Sequence, residues 1–348
     1  MPSSISNSND RLPDGPWGRT WLLTAVLAIV LVFAVESYWR GQGQRTPMVV
    51  DDKDNWSLQR EKLSTNQDKT VALLGMSRIQ MGFATQVFYD RYPHYTLGNV
   101  CIQGLAPFAT LRDLANDESF RGVAIVELTE PGVLRSLNED QQSYVEYFHK
   151  QWRFDKRLVR KTANWIQSNL VMTNPTLSIN EVVTQFIEGG WPRPNYLITF
   201  ADRSRLADFA KADMDKLWQF LTGIINGAYL DARKNPAPAM TREQWLSDVA
   251  EFEKQVRIIQ ARGGKVVFVR YPTSGPVFVE PRHEFPRGEF WDLFAQHTSA
   301  ATIHYEDVPT LRGFPTPDWS HLGGDDAVKF TGALLDELEK RGVLEARK

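Results

Sequence analysis

The apolar positions of this chain fall into three regimes: one unbroken run near the start, short runs ending at glycine or proline, and a long middle stretch with helical spacing alone. Over residues 21–35 every side chain is apolar except Thr24, and about 20 helical residues at 1.5 Å each span about 30 Å of hydrocarbon. The run predicts a membrane-spanning helix. Trp17, Trp21, Tyr38 and Trp39 stand at its two ends, where amphipathic rings favour the headgroup layer. A cleaved signal peptide is the alternative, since Val32-Phe33-Ala34 offers a cut site. Residues 1–40 thus read as tail and anchor, and the polar residues 41–69 as a linker with one short helix around 56–63.

From residue 70 the pattern becomes an alternation. The run 71–74 stops at Gly75 and is followed by helical spacing from Ser77 to about Tyr89, which predicts a strand, a tight turn and a helix. A second strand fits 96–102, stopped by Gly104, with a helix over 107–115; a third fits 122–128, ended by Pro131-Gly132. Residues 141–235 then show helical periodicity, many aromatics (Tyr144, Trp165, Trp191, Trp218, Phe220) and no convincing core strand, and read as a helical insertion with the aromatics as packing seams. Alternation resumes with a helix over 241–262, a strand over 265–271, a helix around 290–297, a short strand at 302–305 and a last helix over 325–341. Strands separated by helical crossovers predict one α/β domain over 70–348: a three-layer αβα sandwich on a mainly parallel, flavodoxin-like five-stranded sheet. Sites in such sheets form outside the carboxyl ends of the strands.

Three predicted strand-end loops carry unusual chemistry. In Gly75-Met76-Ser77-Arg78 the serine sits on a strand-to-helix turn, where its hydroxyl can be exposed and its N–H can face a developing oxyanion; a helix cap is the plainer reading. In Asp318-Trp319-Ser320-His321 a carboxylate three residues before an imidazole can accept from Nδ1–H and leave Nε2 free to take a hydroxyl proton; the plainer reading is a capping Asp and a surface His. At Gln103-Gly104 a glycine permits close backbone approach and a second oxyanion donor, or is simply a turn. Asp202-Arg203-Ser204-Arg205 and Pro281-Arg282-His283 read as solvated polar clusters, with His283 kept in view because the strand ending Arg270-Tyr271-Pro272 precedes it.

Composition narrows the chemistry. With 40 Lys plus Arg against 42 Asp plus Glu the net charge is −2, so no global basic field draws the chain onto nucleic acid. Cys101 is the sole cysteine, which removes an internal disulfide framework and a thiolate metal site together. Six histidines without paired spacing, and no phosphate-cradling glycine loop of Walker or dinucleotide type, leave no metal or cofactor to expect. At 42% hydrophobic and 11% aromatic, the chain can build a sizeable core.

Serine on a glycine turn after the first strand, glycine after the second and Asp-x-x-His before the last helix resemble the SGNH (GDSL-like) hydrolase superfamily, with matching chain order from Val71 onward. The anchor and the closing block Pro317-Asp318-Trp319-Ser320-His321-Leu322, followed by Ala327, Phe330 and Thr331, are similar to extracytoplasmic members that modify the cell envelope. Among these are the D-alanine-transfer proteins of teichoic acids and the alginate O-acetylation proteins. The resemblance implies a membrane-anchored serine esterase or O-acyltransferase acting through an acyl-serine. Ser77 would be nucleophile, His321 general base and Asp318 its orienting partner, with the N–H groups of Ser77 and Gly104 in the oxyanion hole. It also implies a single-pass topology with the domain periplasmic or at the cell surface. On this point charge is silent, because Arg11 and Arg19 precede the apolar run while Arg40 and Arg45 follow it. Implied partners are the membrane, an acyl-donating membrane protein and an envelope glycan.

Two departures stand out. The family's Gly-Asp-Ser is Gly75-Met76-Ser77 here, and its Gly-x-Asn-Asp block, whose Asn completes the oxyanion hole, is replaced after the third strand by Glu127-Leu128-Thr129-Glu130-Pro131-Gly132. Loss of one oxyanion donor costs on the order of 100- to 1000-fold in rate. Two outcomes stay open: an enzyme in which Arg78, Asn99 or Arg270 substitutes by side chain, or a non-catalytic accessory or glycan-binding protein of an envelope assembly.

Overall fold

The structure, a computed structural model, describes residues 15–65, 69–234 and 240–345; Arg11 and the rest of the tail lie outside the described residues. Helix α1 (Trp17–Gly41) leads into α2 (Lys53–Lys62), followed by β1 (Thr70–Leu74), α3 (Ser77–Gly82), α4 (Thr85–Arg91), β2 (Thr96–Asn99), α5 (Phe108–Asn116) and β3 (Val123–Glu127). The insertion holds α6 (Gln142–Gln151), α7 (Phe154–Gln167), α8 (Ile179–Ile187), β4 (Leu197–Thr199), β5 (Arg205–Ala207) and α9 (Met214–Lys234). The chain then runs through α10 (Arg242–Ala261), β6 (Lys265–Arg270), α11 (Gly275–Glu284), α12 (Trp291–His297), β7 (Ala301–His304) and α13 (Gly324–Lys340).

Five strands form one parallel sheet in the order β2-β1-β3-β6-β7, with Leu73 paired to Asn99, Leu74 to Val126, Glu127 to Val269 and Arg270 to His304. Side chains alternate across it with period two. Ala72, Leu74, Ala124, Val126, Val266 and Phe268 enter one apolar cluster, and Val71, Leu73, Ile125, Val267, Val269 and Ile303 enter the other. Both faces are therefore buried, which is why the strands read as near-continuous apolar runs. Helices α2, α5, α10 and α12 cover the first face; α3, α4 and α13 cover the second. Full burial of each large apolar side chain in these layers contributes about 1.5–3 kcal/mol. The α/β sandwich expected from the alternation is the architecture found.

Four expectations need correction. The segment read as a linker is packed: Trp56 of α2 is fully buried, its indole N–H donates to the Val100 carbonyl at 2.9 Å, and Tyr144 and Phe148 pack edge-on against it. Its polar neighbours hid this, because Arg60 is also buried and paired with Asp113 at 2.5 Å. The insertion is not purely helical: β4 and β5 form an antiparallel hairpin whose three-residue strands are too short to leave an alternating signature. The helix expected from Ser77 to Tyr89 breaks into α3 and α4 at Phe83-Ala84, where the Thr331 hydroxyl accepts from the Ala84 N–H at 2.8 Å. Not all the insertion aromatics are packing seams, since Trp165 is 71% exposed and Phe220 65%.

Candidate active site

The serine loop leaves β1, whose neighbours β2 and β3 run off in opposite directions through the sheet, so the loop stands at the topological switch point. Gly75 makes the turn possible. Its φ is +137°, and a Cβ there would lie 2.7 Å from Glu127 Cβ and 2.9 Å from Ile79 Cγ2. The Gly75 carbonyl is fixed by the Ile102 N–H at 3.0 Å, and the Met76 N–H donates to Glu127 Oε2 at 2.8 Å. Ser77 follows as the first residue of α3, with its side chain partly exposed.

The second loop, between β7 and α13, carries Asp318 and His321. Asp318 Oδ1 accepts from the N–H groups of Ser320 (3.1 Å) and His321 (2.7 Å), which closes the turn. Its other oxygen lies 2.6 Å from His321 Nδ1, and His321 Nε2 lies 2.7 Å from Ser77 Oγ. A carboxylate only accepts, so Nδ1 carries the hydrogen and Nε2 is the acceptor for the Ser77 hydroxyl. Burial pushes the Asp318 pKa up, but hydrogen bonding and charge from His321, together with the two loop N–H groups, outweigh it and hold the carboxyl below its ordinary value. The loop is held by Trp319, at φ +68°, whose ring stacks on Trp218 at 6.3 Å and 10° between planes. The Ser274 N–H donates to the Trp319 carbonyl at 2.9 Å, and Gly275 leaves room for the ring: a Cβ there would stand 2.7 Å from its Cδ1.

The other candidate residues are placed as follows. Gly104 has φ +73° and nothing within 4 Å of a virtual Cβ, so space is open beside it. Among the described residues, no acceptor takes the N–H of Ser77 or of Gly104. Arg78 and Arg270 are each paired with a glutamate, while the Asn99 Nδ2 has no hydrogen-bond partner among the described residues. Arg78 lies 3.5 Å from the fully buried Glu127; Asn99 is buried and its Oδ1 accepts from the Cys101 N–H at 3.3 Å; Arg270 meets Glu130 at 3.2 Å and the Tyr271 carbonyl at 2.8 Å. The two glutamates standing where an asparagine block was expected thus face two guanidiniums, those of the half-buried Arg78 and the buried Arg270. Cys101 is buried, and His283 is exposed on α11.

A supporting network was read as solvated surface. Arg203 is 2% exposed, pairs with Asp51 at 2.5 Å and donates to the Asn99 carbonyl at 2.9 Å. Arg205 meets the same carboxylate at 3.2 Å and donates to Gln103 Oε1 at 2.7 Å. Asp51, from the supposed linker, thereby braces the loop that carries Gly104. A partner about 150 residues away leaves no local signal; the Asp-Arg-Ser-Arg cluster was its only trace. Among the described residues, no group of three or more His, Cys, Asp or Glu side chains could hold a metal ion.

No protein-family model matches this sequence, and no curated protein matches it either. Among solved structures the chain is similar to the crystal structure of TesA, at 12% identity and a TM-score of 0.36, over 79% of this chain and 99% of that one.

Proposed function

We propose that this chain is a membrane-tethered SGNH-type serine esterase or O-acyltransferase of the cell envelope, working through an acyl-serine at Ser77. The observation that carries this reading is the continuous relay from Ser77 Oγ to His321 Nε2 at 2.7 Å and from His321 Nδ1 to Asp318 at 2.6 Å. Three residues from the two ends of the domain meet at hydrogen-bonding distance, Ser77 and His321 partly exposed and Asp318 buried behind them, beyond the carboxyl ends of a parallel sheet. In the proposed step His321 Nε2 takes the Ser77 proton as Oγ attacks an acyl carbonyl, and Asp318 steadies the imidazolium that forms. The N–H groups of Ser77 and Gly104 are the oxyanion donors of this reading. His321 then returns the proton to the leaving group, and water or a sugar hydroxyl resolves the acyl-serine.

Helix α1 is long and apolar enough to cross a membrane, with a mean hydropathy of 2.1 over its best window. An extracytoplasmic domain, an acyl-donating membrane protein and an envelope glycan complete the reading. Incubation of the full chain in detergent with a fluorophosphonate probe tests it: labelling is expected in the wild type and absent in Ser77→Ala. Labelling that persists in Ser77→Ala removes Ser77 from the chemistry.

The second reading, a non-catalytic accessory or glycan-binding protein, is favoured by one observation. No asparagine stands in the loop directly after β3, and Arg78 and Arg270 stand against Glu127 and Glu130. A folded wild type that neither labels nor turns over a small acetyl ester would select it.

A further inference from the structure

Helix α7 is built inside out. Its inward face carries Arg160, donating to the Val50 carbonyl at 3.1 Å, and Asn164, donating to Asn55 Oδ1 at 3.0 Å. Its outward face carries Leu158, Val159, Trp165 and Ile166, a stripe at i, i+1, i+7 and i+8 that is 37–71% exposed. Helix α8 repeats the arrangement with Ile179, Val183, Phe186 and Ile187 at i, i+4, i+7 and i+8, between 49% and 82% exposed. A helix that meets water on its outer side turns its apolar stripe inward. Two neighbours doing the opposite mark a surface that meets something apolar.

The foot of α1 is locked into the elbow between these helices. Glu36 accepts from the N–H groups of Val171 and Met172, both at 3.0 Å, and Arg40 donates to the Asn169 carbonyl at 3.2 Å. Trp39 packs on Val171 and Leu177 and stacks on Trp191 at 5.9 Å. Trp165 lies one helical turn before Asn169, and Ile179 lies two residues after Leu177, so both stripes start where α1 leaves the apolar layer. We propose that α7 and α8 lie in the interfacial layer of the bilayer that α1 spans, their outward stripes sunk among lipid chains, so that the domain sits on the membrane face as well as being tied to it. Trp165 and Phe186, 71% and 67% exposed, are aromatic rings of the kind that suit the headgroup boundary. The occupant is lipid because the stripes flank the segment that holds the end of α1, and α1 is, among the described residues, a helix long and apolar enough to cross a membrane. The proposal rests on α1 crossing a bilayer and not on the Ser77 chemistry, so loss of probe labelling leaves it standing.

The test uses the full chain in phosphatidylcholine–phosphatidylglycerol vesicles, with bimane on a single introduced cysteine; the native Cys101 is buried. Labels replace Trp165→Cys or Phe186→Cys, with Lys329→Cys on α13, in the opposite layer, as the water-facing reference. Quenching by lipid carrying a doxyl group near the headgroup is expected to be several-fold stronger at 165 and 186 than at 329, with iodide in the water phase giving the reverse order. Because α1 holds all three variants to the vesicle, attachment alone cannot produce the difference. If iodide reaches 165 and 186 as it reaches 329, the stripes face water and the proposal fails. If neither quencher reaches them, protein covers the stripes, a second copy or another chain, and the proposal also fails.

Discussion

The two loops that meet at the site reach similar ends by opposite means. Both need a left-handed residue to turn sharply. The serine loop uses Gly75, because its surroundings are rigid: the Glu127 Cβ and the α3 side chains leave no room for a side chain. The histidine loop puts a tryptophan in the left-handed position and recovers the strain by stacking it on Trp218 from the insertion. One loop is therefore fixed by the sheet and the other by a side chain reaching out of it. The difference teaches that Ser77 is placed by the core fold, while the loop of His321 leans on the insertion.

The strongest way to probe this contrast is to remove the base. His321→Ala is expected to lower the rate of probe labelling on the order of 10⁴-fold with little change in melting temperature, and an unchanged rate would separate the relay from the chemistry. Gly75→Ala attacks the rigid loop. A forced Cβ at 2.7 Å from Glu127 Cβ should cost about 2–4 kcal/mol in stability by denaturant titration, and a neutral result would show that the sheet gives way there.

Acid comes next. Burial, then the nearby Arg287, Arg270 and Arg282, lower the His304 pKa to about 2, against about 6.5 in an unfolded chain. The unfolded state takes up the proton first, so this contribution is complete above about pH 6.5 and falls away below it, by about 2 kcal/mol at pH 5. Asp318, held below its ordinary value, stays charged throughout that window and adds nothing to the loss. Denaturant titrations at pH 8 and pH 5 should show the loss in the wild type and a smaller one in His304→Gln. The smallest effect is expected from Trp319→Gly. Relief of left-handed strain, about 1 kcal/mol, offsets a lost stacking of about 0.5–1.5 kcal/mol, leaving stability nearly unchanged while labelling slows about 10-fold as His321 loosens. Equal losses in stability and labelling would place the base under the control of the core after all.

What could be read from residues alone follows the range of the forces involved. The apolar runs 71–74 and 266–269 announced a sheet buried on both faces because burial acts on the residues of a strand whichever face they point to. The relay was legible because Asp318 and His321 are local to one another, and because a parallel sheet gathers the loops that follow its strands at one edge. The supports under the site were not. Glu127 reads as a polar residue closing a strand, and only the fold reveals that it takes the Met76 N–H and stands beside Arg78. The Asp51–Arg203 pair joins two stretches that each look solvated. Trp56 was masked by the charged residues around it, which are themselves paired across long separations.

That buried indole has a consequence for reach. A loose chain of about 29 residues would let its cargo wander over roughly 30 Å. Here the stretch between α1 and the sheet is stitched into the domain, through Trp56 to the Val100 carbonyl and through Asp51 to Arg203. The position of Ser77 relative to the foot of α1 is thus set by folding and not by slack, and under the proposed function only substrates delivered to that height could meet it.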